Sequence, residues 1–151
     1  MPIEIICNHD LWLDITVEKS LDPLTELGQN CFDAVVAHDD SCQGEAALLL
    51  TNDAHIHNLN RDFRGRDKPT NVLSFPGERA NGHLGDIALG YETCLEEARD
   101  KNIPLPNHIA HLIVHGLLHL IDYDHIEEDD ARKMEALEVQ ILAQMKIDNP
   151  Y

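Results

Sequence analysis

The sequence is short of aromatic side chains, of basic charge, of paired cysteines and of any long apolar run. Phe, Tyr and Trp make up 5% of its 151 residues, so a core must be built from aliphatic side chains. The four cysteines, Cys7, Cys31, Cys42 and Cys94, are scattered, and none belongs to a C-x-x-C pair. That excludes a zinc ribbon and a thioredoxin-type motif. Lys and Arg number 11 against 28 Asp and Glu, a net charge of −17. Such a chain is not drawn broadly to nucleic acid or to anionic membranes, because phosphate neutralisation drives that binding. The longest apolar stretch, 112–121, is interrupted by His115, Gly116 and His119 and is too short to cross a bilayer. The first ten residues carry Glu4 and Asp10 and no Lys or Arg, so they lack the basic start of a signal peptide. The expectation is a soluble cytoplasmic protein with reduced, mostly buried thiols and no membrane partner.

What is present is one domain's worth of globular sequence, residues 1–151, 43% hydrophobic and without repeats or linkers. The acidity is uneven. Arg61, Arg64, Arg66, Lys68 and Arg79 form a basic island in an acidic chain. From charge alone it reads as a solvated face. Strands are expected at 2–7, 46–50 (fully buried), 71–75 and 84–89. Helices are expected at 17–37, with Pro23 in the first turn or breaking it; from Asn52 or Asp53 through Ile56, Leu59 and Phe63; at 92–101; after Pro104 and Pro106; and after the acids Glu127, Glu128, Asp129 and Asp130. That order suggests an α+β domain with a small mixed sheet of about four strands and surrounding helices.

The segment from His115 to His125 reads H-G-L-L-H-L-I-D-Y-D-H. On a helix, His115 and His119 stand one turn apart on one face and can hold one ion at the ~2.0–2.1 Å of a zinc–nitrogen bond. This gives a metal-binding helix of the zincin kind. His125 lies six residues on, and a reversal at Asp122-Tyr123 can return it toward the first two. Three imidazoles leave the fourth position open, as in a catalytic zinc site, with one Zn2+ per chain. Nickel, copper and iron also suit imidazole. His111, at i−4 from His115, is a fourth ligand, a partner of a ligand, or packing; three ligands in line on one helix cannot surround one ion, which favours the last two.

The same segment resembles the zinc signature of the YbeY family of endoribonucleases, H-G-x-L-H-L-x-G-Y-D-H. It departs at Asp122, where the pattern has glycine. A glycine there permits positive φ, a region that aspartate also tolerates. Upstream, 60–76 (NRDFRGRDKPTNVLSFP) resembles Y-R-x-x-D-x-P-T-[DN]-V-L-S-F-P, with Phe63 in place of the tyrosine. Residues 84–87 match L-G-D-I. The resemblance runs from about residue 50 to Tyr151. It implies a single-strand endoribonuclease acting in ribosomal RNA processing, including maturation of the 16S rRNA 3′ end, and in ribosome quality control. It also implies an α+β fold with the metal in a cleft. Its partners would be ribosomal RNA and the small ribosomal subunit, with ribosomal proteins and an assembly GTPase as further candidates. The arginine that the family uses beside the metal maps onto Arg64.

Read with that resemblance, Arg64 stabilises charge developing on an RNA phosphate. Arg61, Arg66 and Lys68 either guide the RNA backbone or are solvated loop charge. The nucleophile stays open between a metal-activated water and the RNA 2′-hydroxyl. Asp124 could orient a ligand, accept a proton or cap the last helix, and Asp86 could line the cleft or sit in a turn or at a strand end. Two other readings are a zinc peptidase of metzincin-like geometry and a non-catalytic ribosome-assembly factor with a structural zinc. The peptidase motif H-E-x-x-H needs a glutamate where this chain has Gly116.

Overall fold

The computed structural model describes residues 2–16, 19–123 and 127–151. Four strands, β1 (Ile3–Cys7), β2 (Glu45–Thr51), β3 (Val72–Pro76) and β4 (His83–Gly90), form one sheet in the order β1-β2-β4-β3. β1, β2 and β4 run parallel, and β3 is antiparallel to β4. The fold is the expected α+β type with a mixed sheet.

Side chains of a strand alternate between faces. Ile3, Ala46, Leu48, Leu50, Ile87 and Leu89 are buried on one face. Three helices complete the main core there: α1 (Asp22–His38), the central α4 (Leu105–Leu120) and α5 (Glu128–Gln144), which packs on α4 and α1. The other face carries Leu49, Leu73, Phe75 and Ala88, and one helix, α2 (Asp53–Arg64), covers part of it with Ile56 and Leu59. For this reason the 46–50 strand is not fully buried: Ala47 and Leu49 are half-exposed on the α2 side. α3 (Tyr91–Asp100) follows β4 directly and packs against α4.

Local chemistry sets the ends. Asn52 caps α2 by accepting from the His55 amide at 2.8 Å. Gly65, at φ +69°, ends α2 in the left-handed region that glycine enters freely. α1 begins only at Asp22, with Pro23 in its first turn, where a missing N–H costs nothing. Ahead of it, a short helical turn (Asp10–Ile15) buries Trp12, whose indole donates to Thr51 O at 2.7 Å. α4 is apolar almost all round because it is sandwiched between sheet, α1, α3 and α5. At Gly116 it lies so close to the sheet that a Cβ would stand 3.0–3.2 Å from Ile87. All four cysteines are free thiols, and burial pushes Cys31 up to about 12 and Cys42 to about 11. Among the described residues, no helix is long and apolar enough to cross a membrane.

Candidate active site

The last two turns of α4 carry His115 and His119, whose Nε2 atoms stand 3.1 Å apart. Two nitrogens bound to one tetrahedral zinc ion at ~2.0–2.1 Å would lie roughly 3.3 Å apart. His115 is fixed from behind: its Nδ1 lies 2.5 Å from Oε1 of Glu138, a carboxylate on α5 with no solvent exposure. An Nδ1–H donated there leaves the Nε2 lone pair for a metal, the arrangement that commonly orients histidine ligands. The pair therefore fits a transition metal. Among the described residues, no third His, Cys, Asp or Glu joins them in a metal-binding group. His125 and Asp124 lie outside the described residues.

Glu138 is a hub. Its Oε2 also lies 3.1 Å from His111 Nε2 and accepts the Tyr151 hydroxyl. Burial pushes this carboxyl up, but hydrogen bonds to His111, His115 and Tyr151 outweigh it and hold it at about 2. His111 thus serves as a partner of the carboxylate that holds His115. The sequence reading missed Glu138 and Tyr151. A usable signal existed for Glu138: it sits on the helical stripe of Met134, Leu137, Ile141 and Leu142, where an acid is out of place.

α4 ends in a Schellman motif. The Tyr123 amide donates to Leu118 O at 3.0 Å and the Asp122 amide to His119 O at 3.1 Å. Asp122 takes the position usually given to glycine, at φ +76°, so the reversal forms with aspartate in place. Arg79, from the short helical turn Arg79–Asn81, donates to Leu120 O and lies 3.4 Å from the Asp122 carboxylate. The Tyr123 hydroxyl donates to Asp39 at 2.9 Å. The turn beyond His119 is thus tied down on two sides. Arg79, counted with the basic island, works here as a clamp on the helix end.

His115 and His119 open into a cleft of roughly 660 Å³ that is also lined by Arg64, Arg66, Lys68, Thr70, Asn71 and Ser74. Arg64 reaches it around the outside of the sheet. β3 ends the strand order, and pairing of Asn71 and Gly77 with β4 turns the Ser74 backbone to the free edge. The Arg64 guanidinium donates to Ser74 O and lies over the Phe75 ring, 5.5 Å from its centroid. Buried Asn60 fastens the loop that carries Arg66 and Lys68: its side-chain Nδ2 donates to Lys68 O at 2.9 Å, and its backbone carbonyl accepts from the Arg66 amide at 3.2 Å. Asn60 was also missed.

Two other candidates lie elsewhere. Arg61 is not among the described residues lining the cleft; it pairs with Asp62 at 3.0 Å on the exposed side of α2, and that carboxylate raises its pKa. Asp86, opposite Phe75 in the β3–β4 ladder, points to the α2 side of the sheet and lies 3.1 Å from His83.

The sequence model of the family described as Endoribonuclease YbeY matches residues 14–146. A protein named endoribonuclease YbeY from Sphingopyxis alaskensis is 55% identical over 119 residues, 71% of each chain. One of the same name from Rhodopseudomonas palustris strain CGA009 is 42% identical, covering 98% of this chain and 80% of its own. The solution structure of TM1509 from Thermotoga maritima superposes with a TM-score of 0.56, covering 95% of this chain and 91% of its own at 23% identity, which speaks to the fold.

Proposed function

The chain belongs to the YbeY family, and on that footing we propose that it is a metal-dependent endoribonuclease that cuts single-stranded RNA. Its work would be ribosomal RNA processing in the cytoplasm, including maturation of the 16S rRNA 3′ end, and ribosome quality control. Its partners would be ribosomal RNA and the small ribosomal subunit, then ribosomal proteins and an assembly GTPase. The observation that carries the reading is the cleft in which a converging imidazole pair meets Arg64, Arg66 and Lys68, cations gathered in a chain of net charge −17.

His115 and His119, with His125 as third ligand, would hold Zn2+. When bound, the ion supplies Lewis acidity for phosphodiester cleavage. The chain's own groups do the rest. Glu138 keeps His115 oriented. Arg64, steadied by Ser74 O and Phe75, offers further guanidinium donors to non-bridging phosphate oxygens, where charge grows during cleavage. Arg66 and Lys68 line the same cleft and would track the flanking phosphates.

Two features weigh against a peptidase. Position 116 is a glycine, with no side chain to serve as the glutamate base, and faces Ile87 so closely that even a Cβ would stand 3.0–3.2 Å from it, and Arg64 occupies a carbonyl on the β3 edge that an extended peptide would have to pair with. The test compares cleavage of single-stranded RNA and of casein, each with and without chelator, alongside metal analysis of wild type and His119→Ala. Chelator-sensitive RNA cleavage, lost in His119→Ala, is expected. Casein cleavage would make the protein a peptidase. Metal-loaded protein that never cuts RNA, even on preassembled ribosomal particles, would make it a non-catalytic factor.

A further inference from the structure

Phe63, at the end of α2, keeps 68% of its surface in water, in a chain with few aromatic residues to spare. Packing does not account for it. Its ring meets Phe75 edge-on at 5.7 Å between centroids, with planes at 70°, and the remaining surface faces solvent. Phe75 in turn lies under the Arg64 guanidinium. Phe63, Phe75 and Arg64 therefore form one continuous strip of two rings and a cation, wrapped around the free edge of the sheet. The cation end of that strip opens into the cleft beside His115, His119, Arg66 and Lys68.

We infer that Phe63 is a stacking platform for an unpaired base of the RNA, next to the phosphate held by Arg64. The inference rests on the endoribonuclease reading and says where a base of its substrate goes. Proteins that hold single strands combine a cationic path for the backbone with exposed aromatic faces for the bases. Base faces are buried in a duplex and available in a single strand, so such a platform selects unpaired RNA. A protein partner is less well served, because one exposed ring joined through Phe75 to the Arg64 guanidinium is not a contiguous apolar patch.

The test uses the full-length, metal-loaded protein and a single-stranded oligoribonucleotide with 2′-O-methyl riboses. Affinities are compared for wild type, Phe63→Ala, Phe63→Leu and Phe63→Tyr, and repeated with abasic sites in the oligonucleotide. Loss of one stacked base weakens binding about tenfold. Alanine and leucine should show this loss, tyrosine should not, and the abasic strand should bind all four proteins alike. In Phe63→Trp the new indole is exposed whereas Trp12, the sole natural tryptophan, is buried; its fluorescence should be quenched by the normal strand and not by the abasic one. Equal affinities across the series would overturn the platform and leave Phe63 as a protein-docking residue. Wild-type behaviour of leucine would also overturn it, by showing that apolar bulk suffices. Failure of the wild type to bind any RNA would overturn the endoribonuclease reading as well, and is told apart because it precedes any comparison of variants.

Discussion

Glu138 and His115, 23 residues apart and on different helices, meet at 2.5 Å with the carboxylate wholly out of water. Removing that carboxylate should cost metal before it costs fold. Glu138→Gln is expected to weaken zinc binding by about 10- to 100-fold, measured by chelator competition. Glu138→Ala should in addition lower stability by about 1–3 kcal/mol, because the polar atoms of His111 and Tyr151 lose their buried partner. Unchanged zinc affinity in both variants would remove Glu138 from the metal site.

Arg64→Ala should leave metal content intact and cut RNA cleavage by about 10²–10³-fold, the usual effect of deleting a donor aimed at developing charge. Arg64→Lys should recover little, because an ammonium cannot hold Ser74 O and grip a phosphate with a planar fork together. Single-turnover cleavage rates at saturating RNA separate this effect from weakened binding.

Asp122 sits at φ +76°. Replacement by glycine removes a left-handed strain of about 1 kcal/mol and gives up an exposed ion pair with Arg79 worth about 0.2–1 kcal/mol. The expected outcome is a melting temperature equal to or slightly above wild type. Asp122→Val, β-branched at positive φ, should lower stability by about 1–3 kcal/mol and weaken zinc binding with it. Equal stability of the valine and glycine forms would contradict the role given to this turn.

His108 is buried, with Nε2 2.9 Å from Glu97, and burial lowers its pKa from 6.5 despite that hydrogen bond. The unfolded chain therefore takes up a proton at a pH where the folded one resists it. The stability this group contributes should be fully present above about pH 6.5 and be lost as pH falls from there toward the lower folded-state pKa. Urea unfolding at pH 7.5 and 5.5 should show a smaller difference for His108→Gln than for wild type.

The helix that pairs His115 with His119 was legible because its information is local: the two are one turn apart, and any helix through Ile109–Leu120 brings them together. The four strands were legible from short apolar runs bounded by turn residues, though their order was not, because nothing in β3 itself says that it pairs with β4 and ends the sheet. Long-range partners were harder. Arg61 and Arg64 look alike in the sequence, yet one turn of α2 and the acid at Asp62 send them to different places. Asp86 was undecidable until the register put it opposite Phe75, on the α2 side of the sheet. Glu138 hid among 28 acids, and only its place on an apolar stripe set it apart.

A strand at the end of a sheet is also a template on which a second chain can polymerise. β3 is such a strand, rich in Val, Leu and Phe. Pro76 blunts one end of it, and the Arg64 guanidinium sits on Ser74 O in the middle. The cation proposed to meet the substrate would thus also guard the protein against its own copies: Arg64→Ala is expected to form fibrillar aggregates more readily than wild type, whatever becomes of its catalysis.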